Sequence, residues 1–234
     1  MPERGVVRHA RGQRLARPRH LSAGSPSTAP SSPGDEGAIG GAGGGIDVLF
    51  VCRANRCRSP LAAELARASV VAAGLQEHIR IHSAGTHALT GERAVPAMVE
   101  AARRVGVDLA PHRSRRLDAS LIDLCELVVV LEPEHGVVVL DLEPDAASRC
   151  VLLGQVPELA RLRPPASAGF PGWRQALMAR RGPVDLWSRS ARAFAIADPA
   201  GRDGVRFDDT VDTISACVGA LMGGLVMVAG GATR

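Results

Sequence analysis

Val51-Cys52-Arg53-Ala54-Asn55-Arg56-Cys57-Arg58-Ser59-Pro60 is the stretch from which the rest of this chain can be read. It follows Ile46-Asp47-Val48-Leu49-Phe50, a short apolar run with enough β-branched character for a buried strand. It precedes Leu61 to Ala68, a run of good helix formers with Leu61, Leu65 and Ala68 on one face. Strand, tight loop and helix therefore succeed one another. In that order the loop's backbone N–H groups and the helix N-terminus converge on one point, which makes an anion site.

The loop's side chains suggest what the anion is for. A cysteine at the start of such a loop stands in partial positive charge, which favours the thiolate. Arg58, six positions after Cys52, can fold its planar fork back over the loop and grip two oxygens of a tetrahedral oxyanion. A thiolate nucleophile with a guanidinium clamp suits displacement at phosphorus. The Cys-to-Arg spacing alone is common by chance in an arginine-rich chain; the strand and helix around it carry the inference.

The whole chain bounds the rest. Its 234 residues suffice for one ordinary domain with a substantial core, and 46% hydrophobic content marks it as globular. All 28 basic residues are arginine and there is no tyrosine, a usage we attribute to coding bias. The net charge of +4 is uneven, because residues 1–45 carry six arginines against three acids and the remainder 22 against 21. A near-neutral body argues against a nucleic-acid-binding face. Five cysteines do not make a disulfide scaffold, and the N-terminus lacks an apolar central run, so a cytoplasmic location is expected. Residues 1–45, rich in Gly, Ser, Pro and Arg, are expected to form a disordered tail rather than an organelle transit peptide. Thr213 to Thr233 is long and uncharged enough to span a bilayer. Val211, Ile214, Val218, Leu221 and Leu225 recur at helical spacing there, so a buried C-terminal helix with a frayed Gly-rich end is expected instead, and no membrane association.

From residue 46 strands and helices alternate, the pattern of a mostly parallel sheet covered on both sides. Strands are expected at 46–50, 79–84, 127–131 and 150–153. Helices are expected from Pro96 to before Gly106, through Leu117–Leu124, over Glu132–Leu142 and from about Gly204 onward. Residues 154–197 read as a helical insertion, with helices near Pro157–Leu162 and Trp173–Arg180; Trp173 spaced with Leu177 reads as core. Asp198-Pro199 is first a turn. It becomes a catalytic candidate if the fold brings it over Cys52.

VCRANRCRSP resembles the signature of the low-molecular-weight protein tyrosine phosphatases. The resemblance extends through Ser83-Ala84-Gly85-Thr86, through Asp108 to Arg115, through Leu124 to His135, and to Asp198-Pro199, covering Ile46 to about Leu225. It implies a flavodoxin-like three-layer sandwich around a four-stranded parallel sheet, with the insertion placed before an acid loop. It also implies roles. Cys52 would attack phosphorus in line and form a phosphocysteine. Arg58 and the amides of a phosphate-binding loop that includes Arg53, Ala54, Arg56 and Cys57 would hold the equatorial oxygens. Ser59 would donate to the sulfur, Asn55 would brace the loop backbone, and Asp198 would act as acid and then base. Cys57 would either bridge reversibly to Cys52 under oxidation or pack inertly.

Three departures bear on specificity. Ala54 stands where the family has glycine, so a positive φ there would be strained. Arg53 and Arg56 read either as solvated arginines or as a preference for acidic or multiply phosphorylated substrates. Ala200 stands where an aromatic often stacks on phosphotyrosine. The expected substrates are phosphorylated protein, on tyrosine or arginine, or a small phosphate ester. The rivals are an arsenate reductase of the same fold, disfavoured by Glu132-Pro133-Glu134 where a resolving cysteine pair would lie, and a phosphate-binding module without turnover. No cofactor or metal is expected, since His82, His87, His112 and His135 show no ligand spacing with cysteines. His112 reads as support for an inter-helix loop, and Cys125, Cys150 and Cys217 as core residues.

Overall fold

A computed structural model describes residues 45–159, 169–181, 189–200 and 206–231. The expected tail, the second half of the Pro157–Leu162 helix and Trp187 fall outside them. Four strands, β1 (Ile46–Cys52), β2 (Ile79–Gly85), β3 (Leu127–Val130) and β4 (Cys150–Leu152), form one parallel sheet in the order β2-β1-β3-β4. Eight helices accompany it among the described residues: α1 (Arg58–Ala72), α2 (Pro96–Arg103), α3 (Ala119–Leu124), α4 (Pro133–Leu142), α5 (Val156–Leu159), α6 (Gly169–Arg181), α7 (Arg189–Ala193) and α8 (Phe207–Gly231). This is the flavodoxin-like sandwich.

Period-two alternation along the strands sorts their side chains into two cores. Val48, Phe50, Ile79, Ile81, Leu127, Val129 and Val151 are buried on one face with α1, α2, α6 and α8. Leu49, Val51, Val128, Val130 and Leu152 are buried on the other, with Leu121 and Ile122 of α3, Val139 of α4 and Ala191 of α7. Burial on both faces explains why the strands read as continuous apolar runs. The chain leaves β1 toward β2 and later returns past it to β3, so the sheet order reverses at β1. Ligands of such sheets bind beyond the carboxyl ends of the strands at that point.

The insertion divides between the faces. Trp173 is buried with Phe170 and Leu177 against α8, as its spacing with Leu177 suggests. A Cβ added at Gly224 would lie 2.7 Å from Trp173 Nε1, so the indole needs that glycine. The helix expected at Pro157–Leu162 is described as the single turn of α5. In α8, Val211, Ile214, Val218, Leu221 and Leu225 are all in the first core. The helix continues to Gly231, so its glycines do not fray it; α8 meets the length and composition of a bilayer span while packing against α1, α2, α5 and α6.

Candidate active site

The site forms where β1 ends. Cys52 is the last residue of β1, only 2% exposed, and Arg58 is the first of α1. No side chain caps the start of α1, which leaves its first amides facing the loop. The loop lies across the end of β2: Thr86 N–H donates to Cys52 O (2.9 Å) and His87 N–H to Arg53 O (2.8 Å). A Cβ on Gly85 would stand 2.7 Å from Asn55 N and 2.8 Å from Arg53 O, so Ser83-Ala84-Gly85-Thr86 needs its glycine for this close approach.

Asn55 shapes the loop. Its φ of 52° is the single positive value outside glycine among the described residues. Its Nδ2 donates to Ser59 Oγ (2.9 Å) and Ser83 Oγ (3.0 Å), and its Oδ1 accepts from Arg115 N–H (2.8 Å). The left-handed residue is therefore Asn55, and the strain considered for Ala54 does not arise. Asn55 N–H donates to Cys52 Sγ (3.3 Å), and Ser59 Oγ lies 3.0 Å from the same sulfur. His112, read from sequence as supporting a loop between helices, donates from Nε2 to Asn55 O at 2.7 Å; it holds the anion loop itself. Burial lowers the His112 pKa below its ordinary value, partly opposed by that hydrogen bond.

Arg58 is 1% exposed and held on several sides. Its Nη1 donates to Glu132 Oε2 (2.6 Å) and Ile196 O (2.7 Å), and its Nη2 lies 3.1 Å from Asp198 Oδ2. Burial alone would lower its pKa, but the charges of Cys52, Glu132 and Asp198 outweigh it and raise the value. Nε is buried without a protein partner. A buried, unsatisfied guanidinium N–H is costly unless an anion takes it. The fold thus brings Asp198, 140 residues along the chain from Arg58, onto the guanidinium. Its Oδ1 also accepts from Ala200 N–H (3.2 Å), and Ala200 is exposed.

The remaining loop residues separate. Arg53 is exposed. Arg56 is engaged: Nε donates to Arg93 O (2.8 Å) and Nη1 pairs with Glu92 Oε2 (3.0 Å). Cys57 is buried, and burial with the Asp198 and Cys52 charges pushes its thiol up to about 12. Cys125, Cys150 and Cys217 are buried in the two cores. Glu132 and His135 are site residues that the sequence reading missed. His135 Nδ1 accepts from Glu132 N–H at 3.1 Å, fixing the carboxylate at the start of α4. Pro133 at the first helical turn marks the helix start that the sequence already placed at Glu132; nothing local marks the pairing of Glu132 with Arg58.

A buried cysteine and a buried arginine thus flank an amide-lined loop at the switch point of a flavodoxin-like sheet. Residues 47–161 match the family described as low molecular weight phosphotyrosine protein phosphatase. The chain is 31% identical over 148 residues to a probable low molecular weight protein-tyrosine-phosphatase, EpsP, of Ralstonia nicotianae, covering 63% of this chain and 97% of that one. It is 34% identical over 90 residues to a protein-arginine-phosphatase of Bacillus subtilis, 38% of this chain and 58% of that one. The crystal structure of YfkJ from Bacillus subtilis superposes with a TM-score of 0.57 at 21% identity, over 78% of this chain and 96% of that one, a likeness of fold. The chain belongs to the low molecular weight protein-tyrosine-phosphatase family and is an enzyme of that class. Asp198 lies beyond the matched residues.

Proposed function

We propose that the protein hydrolyses phosphate monoesters, foremost phosphotyrosine on protein, through a phosphocysteine intermediate. The observation that carries this reading is the Arg58 guanidinium, buried with Nε unsatisfied, beside Cys52 Sγ. Cys52 Sγ attacks phosphorus and forms the S–P bond as the P–O bond to the leaving group breaks. The loop amides and Arg58 hold the equatorial oxygens throughout. The phosphate competes with the Asp198 carboxylate for Arg58 Nη2; once released, the carboxylate takes up a proton from solvent, turns to the leaving oxygen and delivers that proton to it. A water then attacks phosphorus, gives its proton to Asp198, and the S–P bond breaks to release inorganic phosphate. Ser59 Oγ has one proton and two acceptors in reach, Cys52 Sγ at 3.0 Å and Ala84 O at 3.2 Å. Negative charge on sulfur draws that proton, which supports its departure from phosphorus.

Phosphoarginine is the second reading. The relative named as a protein-arginine-phosphatase favours it, as does Ala200 in place of a ring on the acid loop. A reductase reading is weakened because Glu132, where a reactive cysteine would be needed, is bound to Arg58. Since Cys52 reacts only as a free thiol, the proposal keeps the enzyme in a reducing compartment. Purified protein is expected to turn over p-nitrophenyl phosphate and to lose that activity in Cys52→Ser. Matched phosphotyrosine and phosphoarginine peptides then rank the two substrates by kcat/KM; unchanged turnover in Cys52→Ser would overturn the mechanism.

A further inference from the structure

The acid reaches the site by a path outside the family match, which ends at residue 161. After β4, α6 packs on one face of the sheet and α7 on the other. Past α7, consecutive contacts fix the approach to Asp198. Ile196 N–H donates to Leu131 O (2.8 Å), and Ile196 O accepts from Arg58 Nη1 (2.7 Å). Two residues earlier, Phe194 lies against Gly154, just past β4. A Cβ on Gly154 would stand 2.2 Å from Phe194 O and 3.0 Å from Phe194 C. Those are backbone atoms, so no rotamer change relieves the clash. Gly154 is not among the glycines with positive φ, so close approach is what calls for glycine here.

We infer that Gly154 is a positioning residue for the reaction: by admitting the Phe194 carbonyl to the edge of the sheet, it seats Ile196 and thereby sets where Asp198 stands over the anion loop. The inference rests on reading Asp198 as the proton donor. Proton transfer needs hydrogen-bond reach, and a shift of about 1 Å in a reacting group costs roughly 10²-fold. A methyl group at residue 154 must push Phe194 away, and Asp198 lies only four residues further on.

The test uses the full chain with two substrates. p-Nitrophenyl phosphate releases a stable anion and needs little acid assistance; phenyl phosphate releases a tyrosine-like phenol and needs it. Asp198→Asn is expected to lose roughly 10²-fold in kcat/KM, which reports S–P bond formation and not the later hydrolysis common to both substrates, on phenyl phosphate and far less on p-nitrophenyl phosphate. Gly154→Ala is expected to show the same split, with about a tenfold loss on phenyl phosphate. Because Ile196 O also holds Arg58, its inhibition by inorganic phosphate should weaken as well, by less than the loss on phenyl phosphate, and the double variant should be no worse than Asp198→Asn on that substrate. A split in Asp198→Asn but equal losses on both substrates in Gly154→Ala overturns the positioning role alone. No split in Asp198→Asn overturns the acid reading and the inference with it. If Gly154→Ala does not fold, Ala191→Val, which crowds α7 within the second core three residues before Phe194, is expected to give the split; an even loss there overturns the inference.

Discussion

Arg58 Nη1 and Glu132 Oε2 lie 2.6 Å apart in the core of the site, joining the start of α1 to the start of α4. The pair does more than balance charge. It turns the guanidinium so that Nη2 meets Asp198 while Nε stays unsatisfied for an anion. Removing one partner of a buried pair costs about 3–5 kcal/mol in typical cases, because the other charge is left uncompensated. Ile196 O and Asp198 still hold Arg58, so Glu132→Ala is expected at or below the low end of that range. We expect kcat/KM to fall by about 10²-fold or more, with weaker phosphate inhibition, and Glu132→Gln to recover part of both because its amide oxygen still accepts. Steady-state kinetics with phosphate as inhibitor check this; unchanged inhibition in Glu132→Ala would remove Glu132 from the anion site.

Asn55 offers two separable contributions. Its φ of 52° costs a residue with an ordinary side chain about 1–2 kcal/mol, and its amide makes hydrogen bonds to Ser59, Ser83 and Arg115. Asn55→Gly keeps the backbone angle and loses the bonds, whereas Asn55→Ala loses both. Asn55→Ala is therefore expected to be less stable than Asn55→Gly by about 1 kcal/mol in urea unfolding, with both impaired in kcat. Equal stabilities would mean that the backbone angle carries no cost here.

Much of this could be read from the sequence because it is local. The run from Ile46 to Ala68 specifies strand, loop and helix within a short window, and Asn55 is a residue type suited to the left-handed turn it occupies. Glu132 and His112 escaped because their partners are 74 and 57 residues away and no periodicity encodes such a pairing. A positive φ at Ala54, considered because the family has glycine there, falls instead at Asn55, the residue expected to brace the loop backbone. Trp173 was legible as core from its spacing with Leu177, but helical spacing does not specify which face of the sheet a helix takes, and α6 and α7 take opposite ones.

The cysteines differ enough in surroundings to be told apart chemically. Burial, with the Asp198 and Cys52 charges, pushes the Cys57 thiol up to about 12; burial takes Cys125 and Cys150 to about 12 and raises Cys217. Thiols alkylate as thiolates, so these four should resist at mildly alkaline pH. Iodoacetamide is expected to label one site, Cys52, and inorganic phosphate to slow it. Peptide mapping reads the result, and labelling of Cys57 at a comparable rate would show that the loop opens far more than its burial indicates.

His135 links stability to pH. Burial, reinforced by the charges of Arg58, His87 and Arg53, lowers its pKa from 6.5 to about 3. Its Nδ1 lone pair is also engaged by Glu132 N–H, so protonation would break the contact that fixes Glu132. Between pH values of about 6.5 and 3 the unfolded chain binds a proton at this residue that the folded chain does not. Stability is therefore complete above that window and falls as pH drops through it, by roughly 1 kcal/mol per pH unit from this group. Asn at the same position can present an oxygen to Glu132 N–H and does not titrate. The stability lost between neutral pH and pH values near 5 should thus be smaller in His135→Asn than in wild type by about 1–2 kcal/mol. Urea unfolding at the two pH values measures the difference. An identical loss in both proteins would mean that His135 is protonated as readily in the folded state as in the unfolded one, and that Glu132 keeps its position without the Nδ1 contact.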